Sequence, residues 1–599
     1  MTAARARAIV FGLLVVATFA AFFIVQRIKK EPSGIKKVRI TRLFSPNGDG
    51  SRDRAAIRFR VERRDTVSVR VIDREDEVVA TLVDRERVSK GDRVRVTWDG
   101  RDDDGRIVAD GVYRLRINLK RQGRAVLVRR GITVDTEPPR PAVASIGPSE
   151  AQPEILPLPG GGPAEIRFTT PSPEQPTEVL IYRTSPDVRL VGSETVPAGE
   201  TELTWDGARD GRPLEPGTYV VALRTRDAAG NVGSTPAALP PRAPYGEGLP
   251  GHGGITIRRL GVQPTLEPTI AGTRARFGVD ARQRPYRWAI YQVGVRKPVD
   301  RGRSRKPIVG VKAPDAKRSH LYVFEVRAGD DVTRVPFPVQ SVATHRVLLV
   351  LPAILWQGRN PVDDDGDGWP NTLTGGLPVR RERVLADGLP AGFRSRIAPI
   401  VALLDRQQRP YDITTDLALA AGVGPRIENH SGVMLLGDTR WLPAEQQLAL
   451  KRFVRDGGRV ASFGVDSLRR QVRLTGEQIL DPTAPARADA FGSVLAPLAH
   501  ESGTTVTIFE DDVDLFAGGV YGGTGVFSGY DAYEVTESPG PDGEIVSSAA
   551  LADGRKVIVA IRLGEGLVIR YGLPQLPERL DHRGNETQLV LRTWRLLAR

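Results

Sequence analysis

One pattern occurs twice in the chain and limits its fold more than any bulk property. Val96–Ile117 reads VTWDGRDDDGRIVADGVYRLRI, and Leu203–Leu223 reads LTWDGARDGRPLEPGTYVVAL. The Thr-Trp-Asp-Gly cores start at Thr97 and Thr204. Gly-Arg follows at Gly105-Arg106 and Gly211-Arg212, and Gly-x-Tyr closes the pattern at Tyr113 and Tyr219. A strand ending in Trp, an Asp-Gly pair suited to positive φ, and a second strand alternating with period two predict a β-hairpin. The Trp and Tyr of each copy are expected to share one face. A period of about 100 residues is one Ig-sized sandwich per copy.

These motifs resemble the FlgD-type Ig-like domain, a module reused in bacterial surface proteins and secreted enzymes as a spacer or interaction unit. The resemblance covers 36–140 and 141–240, and it implies two tandem Ig-like β-sandwiches. The first copy opens with FSPNGDGSRD, in which Asn47, Asp49, Ser51 and Asp53 alternate with other residues. Such spacing suits either a hard cation or a polar Asn-Gly turn, and the turn is the expectation. Pro/Gly-rich stretches near residue 138 and at 241–253 mark boundaries.

At 599 residues the chain exceeds one hydrophobic core. It has no cysteine, which excludes disulfides, thiolate metal sites and a cysteine nucleophile. The net charge of +14 would suit nucleic acid. Arg and Asp are interspersed, however, without a basic block carrying aromatics, so no nucleic-acid partner is expected. Ala8 to Val25 is uncharged and apolar. As a helix rising ~1.5 Å per residue it would span about 27 Å, close to a bilayer's hydrocarbon thickness. Its Phe-Phe-Ile-Val end is a poor cleavage site, so residues 1–30 are expected to be a short cytoplasmic tail and an uncleaved transmembrane anchor. The basic residues from Arg27 to Arg42 argue for a cytoplasmic main body on a positive-inside count. The short tail and the extracytoplasmic character of the modules argue the opposite. A single-pass membrane protein with its large C-terminal part outside the cytoplasm is the expectation. The lipid bilayer would then be one partner and an envelope or extracellular ligand another.

Short alternating runs over 254–341 predict a further β-domain. From residue 342 to 599, strand-like VLLVLPA, YDITT, GVMLLG and RVASFG alternate with helical segments, which predicts an α/β domain with a largely parallel sheet. The stretches VLLVLPAILWQ, RPYDITTDLAL, SGVMLLGDTRWLPAEQQLALKRFVRDGGRVASFG and GEGLVIRYGLPQL are similar to the C-terminal domain of the N,N-dimethylformamidase large (beta) subunit. That resemblance implies a class I glutamine-amidotransferase-like fold. The family's iron centre uses Tyr, Tyr and Glu, and the third strand there is followed by a Glu-Tyr-Trp sequence. Here Gly437-Asp438-Thr439-Arg440-Trp441 keeps only the Trp. No Gly-x-Ser-x-Gly elbow replaces the missing cysteine either. No iron site is recognised, and iron-dependent amidohydrolysis is not expected.

Ligands in parallel sheets gather beyond the C-terminal strand ends. That rule nominates Asp416, Asp438 and Asp466 as candidate catalytic carboxylates, and Trp356, Gln357 and Trp441 as binding residues, with Ser467 beside them. The same acids also suit helix caps and turns. His345 and His430 stand alone and are read as structural. In NPVDDDGDGWPNT, Asp363, Asp365 and Asp367 occupy positions 1, 3 and 5 of an EF-hand-like loop, with Gly368 at 6 and Asn371 at 9. Thr374 stands where the bidentate Glu belongs. A bound calcium and a solvated acidic loop both fit. Together these features predict a surface binding or structural protein, whose Ig-like stalk presents a catalytically degenerate domain. The alternatives are a cell-surface hydrolase of amide or glycan bonds using the strand-end carboxylates, or a cytoplasmic protein.

Overall fold

The computed structural model describes residues 10–22, 34–147, 163–242, 254–516, 525–580 and 584–599. The first module stacks two sheets. Ile35–Ile40, Ala55–Val61 and Arg93–Trp98 form one; Asp65–Ile72, Val78–Val88 and Gly111–Leu119 belong to the other. Alternation along Ala55–Val61 and Gly111–Leu119 turns one side of each strand inward. The core is Val67, Val69, Ile57, Phe59, Leu115 and their neighbours. Trp98 packs edge-on against Tyr113, with ring centroids 5.3 Å apart. The Tyr113 hydroxyl donates to the Ala109 carbonyl four residues upstream at 2.7 Å.

The second module repeats this plan. Ala142–Ile146, Ala164–Thr169 and Glu202–Trp205 face Thr177–Arg183, Arg189–Val196 and Gly217–Arg226. Trp205 meets Tyr219 edge-on at 6.1 Å, and the Tyr219 hydroxyl donates to the Glu215 carbonyl, again four residues upstream. Gly254–Ile257 then joins Gly217–Arg226 in antiparallel register, so the chain beyond the Pro/Gly-rich stretch first completes this sheet. A further β-unit follows, with a core built around stacked Phe277 and Phe324.

The expected N-terminal transmembrane helix is corrected. A helix occupies residues 10–22. At ~1.5 Å per residue this described part is about 20 Å long, short of a ~30 Å hydrocarbon core. Among the described residues no helix is long and apolar enough to cross a membrane. The single-pass anchor therefore falls, and with it the extracytoplasmic placement that rested on it. The rest of the predicted anchor segment, at 1–9 and 23–30, lies outside the described residues.

The expected α/β domain with a largely parallel sheet is corrected as well. Asp412–Thr415, Val347–Leu351, Gly432–Leu435, Arg459–Ser462 and Gly566–Tyr571 pair in parallel. They form only one side of an eleven-stranded mixed sheet. Lys556–Leu563, Gly543–Ala550, Ala499–Asp511 and Val526–Tyr533 continue it antiparallel. After Ser462 the chain stops alternating strand with helix and returns through tight turns. One of them is Gly564-Glu565 between Lys556–Leu563 and Gly566–Tyr571, where Gly564 has φ 62°. Strand dominates, and the helices beside the sheet are short: Ala353–Gly358, Ala398–Arg406, Asp416–Ala420, Ala444–Arg455 and Asn585–Leu597. The protein is a predominantly β, multi-domain chain.

Candidate functional site

Two of the parallel strands, Val347–Leu351 and Gly432–Leu435, leave their C-terminal ends beside a cavity of about 280 Å³. Pro352, Leu355, Trp356 and Leu389 supply apolar wall; Arg359, Arg396, Asp438 and Arg440 supply charge. Asp438 follows Gly432–Leu435 and is buried. Arg396 Nη1 donates to its Oδ2 at 2.5 Å, and the Val465 amide donates to its Oδ1 at 3.2 Å. Arg440 lies with Nη2 3.7 Å from Asp438 Oδ2 and Nε 3.7 Å from Asp466 Oδ2. Both distances are too long for hydrogen bonds, and its buried Nε has no partner. Arg470 Nη1 donates to Asp466 Oδ2 at 2.5 Å, and Arg469 Nη1 lies 3.7 Å from Oδ1. Arg396, Asp438, Arg440, Asp466 and Arg470 thus form an alternating ladder of charge.

The structure separates the sequence candidates. Trp356 and Asp438 line the cavity; Asp466 touches it only through Arg440. Asp416 is away from it, fully enclosed at the start of a helix, where its Oδ1 accepts the Ile354 and Leu417 amides at 2.9 and 2.8 Å. Burial pushes the Asp416 carboxyl up to about 7 against those bonds, and its Oδ2 has no partner. Gln357 is buried and donates to the Arg383 carbonyl at 3.3 Å. Trp441 is buried beneath the Arg470 guanidinium, 5.6 Å from its ring centroid. Ser467 Oγ accepts the Thr439 amide at 3.1 Å. His345 and His430 share the carboxylate of Asp412 at 2.8 and 3.1 Å. Burial works to raise Asp412, but hydrogen bonds from His430, Gln340 and His345 outweigh it and hold the carboxyl low.

Sequence reasoning overlooked Arg359, Arg396 and Arg440. In a chain with 86 Lys and Arg residues, nothing local singles these three out. Proximity to Asp438 would have flagged Arg440 alone. Arg359 stands exposed at the cavity rim. Partial burial and the like charges of Arg440 and Arg396 push its guanidinium down, with Asp438 opposing.

The aspartate loop is a second, separate feature. One carboxylate oxygen from each of Asp363, Asp365 and Asp367 lies within 4.8 Å of the others. Asp363 accepts the Gly366 and Gly368 amides at 2.7 and 2.8 Å, and Asp367 accepts the Trp369 amide at 2.7 Å. Asn371 accepts the Asp364 amide at 2.6 Å and turns its Nδ2 to Asp365, 3.3 Å away. Burial, then the neighbouring aspartates, pushes Asp363 up to about 8; burial and Asp365 push Asp367 to about 6. By contrast, Asn47 and Asp49 in the first module make a polar turn. Asn47 Oδ1 accepts the Asp49 amide at 3.0 Å, and Asp53 accepts the Gly48 and Gly50 amides.

A family model, the FlgD Ig-like domain, matches residues 47–123. The chain therefore contains an Ig-like domain of that type. No curated protein sequence matches the chain. Among solved structures, E. coli alpha-2-macroglobulin is 12% identical with a TM-score of 0.19. That likeness covers 53% of this chain and 24% of the other, so the chain spans about a quarter of its length. Titin domains are 14% identical at a TM-score of 0.18, covering 51% and 96%. Chicken CNTN1 FN domains are 10% identical at 0.16, covering 51% and 98%. At these scores the likenesses carry no argument about function.

Proposed function

We propose that this Ig-like multi-domain protein has a structural and binding role, with its modules presenting the strand-end cavity as a ligand site without hydrolytic chemistry. The observation that carries this reading is the state of the candidate acids. General acid–base work needs a carboxylate within reach of substrate and free to exchange a proton. Asp438 and Asp466 are instead held by arginines, and Asp416 is sealed away from the cavity, engaged by the Ile354 and Leu417 amides. The resemblance of 343–599 to the dimethylformamidase subunit enters only as a likeness of those stretches, since the family's Glu and Tyr are absent at Asp438–Trp441. Calcium at Asp363, Asp365, Asp367 and Asn371 belongs to the same reading as a stiffening ion rather than a catalytic one.

The test is an amide- and glycan-hydrolysis assay on the full chain beside Asp438→Asn and Asp466→Asn. No turnover above buffer is expected from any of the three. Turnover by the parent that both substitutions abolish would defeat the proposal and restore the hydrolase.

A further inference from the structure

We infer that the strand-end cavity recognises an oxyanion, foremost a carboxylate on a small apolar body. This rests on the reading of the cavity as a ligand site and specifies what it takes. Three guanidinium groups reach the cavity, and one of them, Arg396, is already satisfied by Asp438. The other two are not. Arg440 lies beside two carboxylates without a hydrogen bond to either, and its buried Nε has no partner. Arg359 has no carboxylate within ion-pairing distance among the described residues. Asp387 and Glu578, the other acids on the lining, are both exposed and pair with none of the three.

An Arg fork offers parallel N–H donors that match a planar carboxylate or a phosphate, and its strength grows where water is thinned out. An anion between Arg359 and Arg440 would take up unused donors and offset the repulsion from Arg440 that adds to burial in lowering Arg359. A neutral ligand would do neither. The apolar part of the lining sets the rest of the ligand: Pro352, Leu355, Trp356 and Leu389 offer no charge. The 280 Å³ space equals about nine waters at ~30 Å³ each, room for a ligand of roughly ten heavy atoms. An acidic head and a compact apolar tail match the charged and the apolar parts of this lining.

Isothermal titration of the full chain with phenylacetate, its neutral isostere phenylacetamide, and inorganic phosphate tests this. Phenylacetate is expected to bind at least tenfold more tightly than the amide. R359Q and R440Q are each expected to weaken it about tenfold. R359Q, at an exposed position, should leave the melting profile unchanged, so its loss of binding cannot be ascribed to misfolding. Phosphate binding in preference to phenylacetate, with the same loss in both variants, supports the oxyanion and assigns its source to phosphate. Equal binding of acid and amide, or phenylacetate binding untouched by R359Q, overturns the oxyanion while the cavity remains a ligand site. No binding of any of the three probes overturns both readings.

Discussion

The hydroxyl of Thr184, at the end of a strand of the second sandwich, donates to the carbonyl of Gly368 at 2.7 Å. This bond joins the aspartate loop to a β-sandwich far from it in sequence. The contact is close along its length: a Cβ on Gly368 would sit 2.6 Å from the Tyr219 carbonyl oxygen, and one on Gly254 would sit 2.4 Å from that of Gly366. Trp369, next in the loop, packs against Leu180, Tyr182, Val220 and Ala222 on the sandwich's outer face. The loop is the wedge of this junction, and glycine at 254 and 368 is what lets the two backbones meet.

Trp369→Ala removes the wedge's apolar anchor. A buried Trp→Ala change costs about 3–5 kcal/mol, and here the loss falls on the junction. The expected outcome is faster protease cleavage near 358–372 and a broader small-angle scattering distribution, with the first module's melting unchanged. A variant as compact and protease-resistant as the parent would show that the wedge does not hold the junction.

Calcium should stabilise the same junction. Without a cation, Asp363 and Asp367 hold protons more tightly when folded than when unfolded. Their contribution to stability is therefore greatest near pH 4 and declines as the pH rises toward about 8. Millimolar calcium is expected to raise the melting temperature by several degrees at pH 8 and by little at pH 5, and Asp363→Asn should abolish the rise. Melting curves identical in calcium and in chelator at pH 8 would remove the ion.

Asp416 gives a second pH signature, independent of metal. Its folded carboxyl stands at about 7 against an ordinary 3.8, so the folded state binds the extra proton between those values. Stability should fall as pH rises through that window, at most about 1.4 kcal/mol per unit for this group, and level off above it. Asp416→Asn stays neutral and should flatten the slope between pH 4 and 7 in denaturant titrations. An unchanged slope would place the proton elsewhere.

Asn231 ties the two β-sandwich modules together. Its Oδ1 accepts Ser45 Oγ at 2.5 Å and Asn47 Nδ2 at 3.1 Å, while its Nδ2 donates to the Asp135 carbonyl and to Asp227, both at 2.9 Å. Three of these bonds cross between the modules, so at about 1 kcal/mol per hydrogen bond Asn231→Ala should cost roughly 3 kcal/mol of coupling. Residual dipolar couplings or scattering should report a wider spread of inter-module angles. A fixed angle in the variant would locate the hinge's rigidity elsewhere.

The sequence alone determined the strands of the repeated modules and their Trp–Tyr pairs, but not the pairing expected of them as β-hairpins. Trp98 and Tyr113, like Trp205 and Tyr219, do meet, but across the sandwich. Each Trp ends a strand of one sheet and each Tyr lies on a strand of the facing sheet, so the connection between them crosses from sheet to sheet instead of closing a hairpin. The acids at the strand ends were visible too, but not their state. Asp438 is neutralised by Arg396 and Asp466 by Arg470, and only the first of these partners comes from a distant segment, which no local pattern marks. The aspartate loop was legible as a loop, whereas its seat on the second sandwich was not, because Thr184 and Tyr219 are brought to it by packing. The mixed sheet shows the same division. Local alternation of strand and helix predicted parallel pairing, and four such pairs form; the antiparallel strands that outgrow them depend on tight turns and on which edge remained open. Short-range periodicity is written in consecutive residues, while the pairing of charges and sheet edges is settled only when separate segments compete for the same space.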